Sequence, residues 1–346
     1  MKKKIAIVLG KGCNYRCSYC FEQGKATSYN TSLVMSESTI DKALEFIGRE
    51  NQKLKEGEFI YLNLYGGEPL LYPEQATRFI EYASDNQMYV RFITNGSLIT
   101  KMSEQILKWK EILGSRLDFL VSYDYALQDQ NRCKGSYQKV RDGLLWLDEN
   151  EITFFTNTIF MMSDFAKMKE CFKDFLLLKR QLVHNRNLQF RIGLDKIGCR
   201  KAIDFEAAEK DLEELSSIMK QNPQLEKHIT FRFGRLGNSY RKKSCGLGWR
   251  MIAGIDYDGT FYTCIGGIFH PRSSELTFGT VYDDPSVVEA KREVVMNKVV
   301  KPLPEKCKPC DNFCRVCAID VFDKNGIVEE NHCKIHGIVT KAITWQ

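Results

Sequence analysis

The chain has 346 residues, of which 43% are hydrophobic and 27% charged, and it contains no low-complexity tract. This composition supports one large hydrophobic core or two unequal ones and excludes a disordered chain. The net charge of +6 is spread along the sequence, and the densest basic run, Arg241–Lys243, is too short to indicate nucleic-acid binding. No apolar stretch has the length of a membrane span, and Ile5–Leu9 predicts a first buried strand rather than a signal peptide, so we expect a cytoplasmic protein.

Strand-like and helix-like segments alternate over the first two thirds of the chain. The strand candidates are Lys4–Leu9, Phe59–Tyr65, Tyr89–Thr94, Leu117–Ser122, Ile152–Ile159 and Leu188–Leu194. The helix candidates are Ile40–Ile47, Pro73–Asn86, Thr100–Leu113, Ser136–Asn150, Asp164–His184 and Phe205–Gln221. Ser38 and Asp41 fit a capping box at the start of the first helix. Six βα units predict an α/β fold with a parallel sheet, and because six units are too few for a closed eight-stranded barrel, we predict a partial (β/α)6 TIM-like barrel.

The composition changes after Phe233. Glycine, cysteine and hairpin signals such as Asp258-Gly259 replace the long helices. We therefore predict a boundary near residues 225–240 and two domains, 1–230 and 231–346. A loop-rich second domain has few apolar residues for a core, which favours metal centres as its organising element.

Thirteen cysteines in an intracellular chain need an explanation, since disulfides are disfavoured in a reducing compartment. Three of them lie within Cys13–Cys20 and seven between Cys245 and Cys333. This clustering favours metal binding.

The first cysteine motif, Cys13, Cys17 and Cys20, follows the first predicted strand. Three thiolates at this spacing fit three corners of an iron–sulfur cubane and leave a fourth iron open to a substrate or cofactor. The alternatives are a zinc site or buried cysteines without a metal. The motif resembles the signature of the radical S-adenosylmethionine (SAM) superfamily, Cys-x3-Cys-x2-Cys with an aromatic residue, here Tyr19, before the last cysteine. The resemblance implies that the three cysteines ligate a [4Fe–4S] cluster, that SAM chelates the open iron, and that reductive cleavage of SAM gives methionine and a 5′-deoxyadenosyl radical.

A second motif, Gly66-Gly67-Glu68-Pro69, follows the second predicted strand and resembles the Gly-Gly-Glu-Pro motif of the same superfamily. The resemblance implies contacts to the SAM amino group, in which the glycines let backbone carbonyls approach and Glu68 adds negative charge. An ordinary βα turn is the alternative.

The fourth predicted strand ends at Ser122, which Asp124 and Arg132 follow. In relatives this region reads Ser-x-Asp-Gly and is followed by an arginine and a Gly-Ser pair. The resemblance implies that Ser122 and Arg132 hold the SAM carboxylate and that Asp124 meets polar groups of SAM or substrate; a merely structural role is the alternative. Tyr125 stands where the relatives have glycine, which leaves the conformation of this turn open.

The remaining clustered cysteines resemble the SPASM domain, a module with auxiliary clusters and seven cysteines in this order, although the middle segment is shorter here than is usual. The resemblance implies two further [4Fe–4S] clusters, and so three in all. The ligands of the first would be Cys307, Cys310, Cys314 and Cys333, and those of the second Cys245, Cys264 and Cys317. The second cluster either keeps an open iron or is completed by Cys199. A zinc ribbon formed by the four cysteines between residues 307 and 317 is the alternative.

Enzymes of this kind mostly modify peptides, so we expect a radical SAM oxidoreductase that matures a ribosomally made precursor peptide (a RiPP) through a thioether, carbon–carbon or other oxidative modification. Anaerobic sulfatase maturation is one alternative, but its relatives carry a catalytic Asp directly after the cysteine that corresponds to Cys264, where this chain has Ile265. Asp256 or Asp258 could replace that base. A non-catalytic iron–sulfur or zinc protein and a radical enzyme acting on a small molecule are further alternatives.

The expected partners are the precursor peptide and an electron donor such as flavodoxin or ferredoxin. Because only twelve residues precede Cys13, leader binding would need a separate protein or another surface. We expect neither a nucleic acid nor a membrane as a partner.

Overall fold

The computed structural model describes residues 1–17, 19–20, 31–161, 164, 167–186, 188–195, 204–221, 229–231, 250–270, 272–299, 333–334 and 337–338. The chain forms two compact units, which are described separately. The first unit consists of Met1–Asn14, Glu22–Leu120 and Cys245–Lys301. The second consists of Tyr15–Phe21, Val121–Ser244 and Pro302–Gln346.

Strands and helices alternate along the described residues. The strands are β1 (Lys2–Val8), β2 (Phe59–Tyr65), β3 (Tyr89–Thr94), β4 (Leu117–Ser122), β5 (Thr153–Met161), β6 (Phe190–Asp195), β7 (Ile229–Phe231), β8 (Met251–Ile255), β9 (Thr260–Tyr262) and β10 (Thr277–Thr280). The helices are α1 (Glu37–Gln52), α2 (Pro73–Asp85), α3 (Ser103–Leu113), α4 (Gln128–Asn131), α5 (Ser136–Glu149), α6 (Met168–Gln181), α7 (Phe205–Gln221), α8 (Ile265–Ile268) and α9 (Pro285–Val299). Each of the six predicted strands agrees with an observed strand to within two residues.

In the first unit the strands follow the order β10-β9-β8-β1-β2-β3-β4. β1 pairs in parallel with both β2 and β8, and β2 pairs in parallel with β3. β8, β9 and β10 pair antiparallel, and the predicted Asp258-Gly259 turn joins β8 to β9. In the second unit β5, β6 and β7 pair in parallel. Parallel strands that alternate with helices confirm the predicted α/β fold class.

The core of the first unit lies between its sheet and the helices that cover it. Ile5, Leu62 and Val90 on the strands are completely buried. Phe92 stacks on Trp109 of α3, with ring centroids 4.9 Å apart. Burial of side chains of this size stabilises the fold by about 1.5–3 kcal/mol each, so these strands form a rigid frame for the residues at their ends.

The first helix begins two residues earlier than the predicted capping box allows. Ser36 is its N-cap, and the Ser36 side chain accepts a hydrogen bond from the Thr39 amide at 3.2 Å. The capping box of Ser38 and Asp41 is therefore wrong, because the backbone leaves the extended conformation at Ser36.

The predicted domain boundary falls mostly outside the described residues. Only β7 is described within residues 225–240, so the division into 1–230 and 231–346 stays a prediction. In the described part of the chain, no helix combines the length and the apolar composition that a membrane span requires.

Candidate active site

The first cysteine of the motif follows β1 in the first unit, where two glycine-rich segments meet. A Cβ atom on Gly66 would lie 2.7 Å from the carbonyl oxygen of Gly10. A Cβ atom on Gly67 would lie 2.8 Å from Cys13 Cβ and still closer to the carbonyl oxygen of Gly12. Real Cβ contacts are longer than this, so both positions of the Gly-Gly-Glu motif require glycine for close backbone packing. The motif thus shapes the backbone that leads into Cys13.

Glu68 completes the motif with a fully buried carboxylate. The Glu68 amide donates to the Gly12 carbonyl at 2.8 Å. Its side chain accepts from the Thr94 hydroxyl at 2.6 Å, from the Asn95 amide at 2.7 Å and from the Leu70 amide at 3.1 Å. Burial raises the pKa of this carboxyl to about 7, although the three hydrogen bonds act in the opposite direction. Glu68 therefore joins the end of β2 to the end of β3.

Asn95, just after β3, lies beside Cys13. Its side-chain nitrogen Nδ2 is 3.9 Å from Cys13 Sγ and donates to Asn14 Oδ1 at 2.8 Å. Its oxygen accepts from the amide and the hydroxyl of Ser97 at 2.9 and 2.6 Å. Asn14 donates back to Ser97 Oγ at 2.8 Å. The three side chains form a closed polar network that fixes an N–H donor against the cysteine sulfur.

The other two cysteines of the motif lie in the second unit. The Cys20 amide donates to the Cys17 carbonyl at 3.1 Å, which forms a tight turn. Burial raises the pKa of the Cys17 thiol, and the charge and hydrogen bond of Arg132 act against that rise. Arg132 therefore supplies a cationic donor to Cys17.

Asp124 and Arg132, both predicted from the region after β4, are brought together. Arg132 Nε and Nη2 donate to the two carboxylate oxygens of Asp124 at 2.9 and 3.2 Å. The Tyr19 hydroxyl donates to Asp124 Oδ2 at 2.5 Å. All three side chains are buried. Ser122, the last residue of β4, is half-buried.

Tyr125 occupies the position where relatives have glycine, and its backbone φ is +52°. It therefore adopts the left-handed conformation for which glycine is favoured, so the turn is kept despite the substitution. Its ring is fully buried and its hydroxyl lies 2.8 Å from Thr156 Oγ1.

A buried ion pair in the first unit was not predicted. Lys11 Nζ lies 2.7 Å from Asp256 Oδ1, and the Lys11 ammonium is 4.4 Å from the centre of the Phe269 ring. Burial raises the pKa of Asp256, while the Lys11 charge lowers it. The Asp256 carboxylate, considered above as a replacement base, is thus bound to a lysine two residues before Cys13.

Two of the auxiliary cysteines are described. Cys264 and Cys333 are half-buried, and no disulfide joins any of the described cysteines. The other predicted auxiliary ligands lie outside the described residues, as does Cys199; they are Cys245, Cys307, Cys310, Cys314 and Cys317.

The donors in the first motif have the chemistry of cluster ligands. Within the described ranges, no three His, Cys, Asp or Glu side chains lie close enough to share one metal ion. A cubane does not require this, because each thiolate binds a different iron. Thiol donors with N–H groups directed at two of the sulfurs, from Asn95 and Arg132, fit a negatively charged cluster.

Residues 7–172 match the family model described as the radical SAM superfamily. This range contains the first cysteine motif, the Gly66–Glu68 motif, Ser122, Asp124 and Arg132. Residues 7–172 form a radical SAM domain. The domain implies a [4Fe–4S] cluster and SAM as cofactors, and it confirms the predicted radical SAM assignment.

One curated relative resembles the chain well beyond this domain. The antilisterial bacteriocin subtilosin biosynthesis protein AlbA of Bacillus subtilis is 23% identical over 341 residues, which are 93% of this chain and 68% of AlbA. Two further curated relatives align over only 25% and 46% of their own length.

Two solved structures are similar in fold. The structure of anSMEcpe with bound AdoMet and the Cp18Cys peptide has a TM-score of 0.71 at 16% identity and covers 99% of this chain and 96% of that one. The structure of Streptococcus suis SuiB bound to the precursor peptide SuiA has a TM-score of 0.61 at 11% identity and covers 92% of this chain and 71% of that one. At such identities the likeness concerns the fold, and it agrees with the predicted α/β class.

The sequence predicted the cysteines, Gly66–Glu68, Asp124 and Arg132 as site residues, but not the hydrogen bonds that join Asn14, Asn95 and the hydroxyl of Tyr19 to this region. It also did not predict the ion pair of Lys11 with Asp256. The one available signal was the choice of Tyr rather than Phe at position 19, since a phenol can hydrogen-bond where a phenyl ring cannot.

Proposed function

We propose that the chain is a radical SAM oxidoreductase that modifies a peptide, with a ribosomally made precursor peptide as its substrate. The observation that carries the proposal is that residues 7–172, which contain Cys13, Cys17 and Cys20, match the radical SAM family. In the first unit an N–H donor of Asn95 lies beside Cys13, and in the second the charge of Arg132 acts on Cys17. The peptide substrate is supported by the resemblance to AlbA, a bacteriocin biosynthesis protein, and by the two structures of similar fold that contain peptides.

In this proposal Cys13, Cys17 and Cys20 hold the [4Fe–4S] cluster. Together with SAM, the cluster supplies a 5′-deoxyadenosyl radical by reductive cleavage. Gly66 and Gly67 hold the backbone before Cys13 in place, and polar residues at the ends of the strands orient SAM. The residues proposed to bind SAM are Gly66, Gly67, Glu68, Ser122, Asp124 and Arg132.

The modification is proposed to begin with removal of a hydrogen atom from a carbon of the peptide. Coupling of that carbon radical to a nearby group, which gives up a proton, would then form a thioether, a carbon–carbon bond or another oxidised product. The surplus electron would leave through the proposed auxiliary clusters. An electron donor such as flavodoxin or ferredoxin is the proposed partner besides the precursor peptide.

We further propose that the auxiliary cysteines hold two more [4Fe–4S] clusters, with the ligand sets given above. The absence of a disulfide at Cys264 and Cys333 is compatible with that role. Anaerobically purified protein should then contain roughly eight to twelve irons per chain, whereas colourless protein loaded with zinc would contradict it.

The test of the function is anaerobic incubation of the reconstituted protein with SAM, a reductant and the precursor peptide encoded beside its gene. Deoxyadenosine should form, and the peptide should become about two mass units lighter as it loses two hydrogens. Cys17→Ala should abolish both products, because a ligand is lost. Cys133→Ser is the matched control, since the Cys133 thiol lies outside the motif and is half-buried.

This experiment also separates the proposal from its rival. Sulfatase maturation would remove sulfur from a substrate cysteine, whereas a crosslink retains it. The rival has little support in the described residues, because Asp258 caps the β8–β9 turn through the Thr260 amide at 2.9 Å. An unchanged peptide mass with every neighbouring precursor would contradict the proposed function.

A further inference from the structure

Two groups of identical composition lie near opposite ends of β4. We call Tyr19, Asp124 and Arg132 the Asp124 triad. In it the tyrosine hydroxyl and the arginine both donate to the aspartate, and the guanidinium carbon lies 5.2 Å from the centre of the Tyr19 ring. Asp124 follows β4 by two residues, at the strand end where catalytic residues of such folds collect.

The second group, which we call the Asp118 triad, consists of Tyr61, Asp118 and Arg91. Tyr61 donates to Asp118 Oδ2 at 3.0 Å, and Arg91 Nη2 donates to the same oxygen at 2.7 Å. The Arg91 guanidinium carbon lies 5.3 Å from the centre of the Tyr61 ring. All three residues lie near the beginnings of their strands, where side chains contribute to stability rather than to chemistry.

The two triads differ in what the arginine reaches. Arg132 lies beside the first cysteine motif, with its guanidinium carbon 5.2 Å from the ring centre of Tyr19, which stands between Cys17 and Cys20. Its positive charge acts against the rise that burial gives to the pKa of the Cys17 thiol. Asp124 is completely buried, and Arg132 is 8% exposed. In such a poorly solvated environment a fixed charge acts strongly on its neighbours.

The backbone around Asp124 keeps this geometry fixed. The Asp124 amide donates to Gln128 Oε1 at 2.8 Å. The Asp124 carbonyl accepts from the Leu127 amide at 3.1 Å, and the Cys171 thiol lies 3.6 Å from it. The carboxylate therefore cannot turn away from Arg132 without breaking several buried contacts.

We infer that the Asp124 triad sets the reduction potential of the cluster that Cys17 is proposed to ligate. Arg132 is a positioning residue whose positive charge stabilises the reduced state, and the negative charge of Asp124 partly offsets that stabilisation. The inference rests on the proposed cluster. One electron from an external donor, such as flavodoxin or dithionite, reduces the cluster from the 2+ to the 1+ state. The added negative charge is favoured by the guanidinium beside the thiolate and opposed by the carboxylate behind it.

Two variants that each remove one charge should therefore move the midpoint potential in opposite directions. Asp124→Asn removes the negative charge and should raise the midpoint, because the Arg132 charge is no longer offset. Arg132→Gln removes the positive charge and should lower it. We expect the reduction constant to change about tenfold in each case, which is about 59 mV for a one-electron couple.

The experiment is a potentiometric titration of the reconstituted full-length chain. The reduced cluster is detected by electron paramagnetic resonance, through the signal that changes when SAM is added. Asp118→Asn and Arg91→Gln are matched controls, since they break an equivalent triad near the beginning of β4. These controls should lower thermal stability and leave the midpoint at the wild-type value. A purely structural role for the Asp124 triad would give the same result in both triads.

The inference is overturned if Asp124→Asn and Arg132→Gln bind the full amount of iron and keep the wild-type midpoint potential, or if both variants shift that potential in the same direction. It is also overturned if Asp118→Asn shifts the midpoint potential as much as Asp124→Asn does. If either variant fails to fold, Tyr19→Phe against Tyr61→Phe decides. Without the Tyr19 hydroxyl, the Asp124 carboxylate loses a hydrogen-bond donor and offsets the Arg132 charge more strongly. Only Tyr19→Phe should therefore lower the midpoint potential, and an unchanged midpoint potential in this variant overturns the inference. A wild-type protein without any SAM-sensitive cluster signal would instead contradict the proposed function.

Discussion

Glu68 places a carboxylate where no water reaches it, and three hydrogen-bond donors surround it. Two of the donors come from Thr94 and Asn95, at the end of the neighbouring strand β3. Asn95 in turn directs its side chain at Cys13. The position of Cys13, a proposed cluster ligand, thus depends on a residue whose side chain does not touch it.

We predict that Glu68→Gln lowers the free energy of unfolding by about 1–3 kcal/mol. The glutamine amide group would face at least one of the three donors, and a buried donor would lose its acceptor. Thermal unfolding followed by circular dichroism at neutral pH measures the change. Glu74→Gln, at an exposed position in the first turn of α2, is the control and should be neutral. Equal free energies of unfolding for the two variants would contradict the stabilising role of the Glu68 hydrogen bonds.

The residues that are predictable one by one are those with strict chemical or steric requirements. The cysteine spacing follows the signature of the radical SAM superfamily, and Gly66 and Gly67 reflect backbone packing that admits no Cβ. The Asn95 and Tyr19 contacts connect segments more than 80 residues apart. No local pattern encodes such partners, so they appear only once the chain is folded.

The turn after β4 shows how an element keeps its conformation when its usual residue is replaced. A non-glycine residue with positive φ costs of the order of 1 kcal/mol, and Tyr125 offsets this by burying its ring against Phe190, with centroids 5.3 Å apart. The hydroxyl also pairs with Thr156. The turn that carries Asp124 is therefore held by aromatic packing.

A second element-scale contact joins α5 to the segment after α6. The Asp148 carboxylate accepts from the amides of Val183 and Asn185 at 2.6 and 2.7 Å. Burial would raise the pKa of Asp148, but these backbone donors, with the Asn185 side chain and the His184 amide, hold it below the usual value. A depressed pKa means that the folded state favours the charged form, so this stabilisation is present above the unfolded pKa of about 4 and is lost as the pH falls below it.

Asp148→Asn should accordingly lower the thermal midpoint at pH 7, by an amount equivalent to about 1–3 kcal/mol. The difference from the wild type should begin to shrink below about pH 4, where the unfolded wild-type carboxyl takes up a proton, and should be lost as the pH falls through the lower pKa of the folded state. Asp142→Asn on the exposed side of the same helix is the matched control. A deficit that stayed constant with pH would show that the Asp148 charge is not responsible.

Periodicity predicted most of the elements because their buried faces are continuous. It missed α9, in which only Val288 and Val299 are buried while Val294 is 69% exposed. A helix without a regular apolar face gives no signal of that kind. It also misplaced the start of α1, because Ser36 and Ser38 are both chemically suitable caps.

At the scale of the molecule, the sequence does not reveal that β8 continues the sheet of the N-terminal strands. Ile5 pairs with Ala253 and Ile7 with Ile255 in parallel register. Parallel pairing of segments so distant along the chain leaves no local trace. Cys264 therefore follows β9, which pairs with β8 in the same unit as β1.

The radical SAM domain and the resemblance to peptide-associated proteins together support one central claim, that this chain removes hydrogen from a peptide. The most direct measurement is mass spectrometry of deoxyadenosine formed by the reconstituted protein with SAM, reductant and a fully deuterated precursor peptide encoded beside its gene. The account predicts that deoxyadenosine gains deuterium from the peptide, and that Cys17→Ala forms none. Deoxyadenosine that forms without deuterium, while the peptide stays unchanged, would contradict the claim.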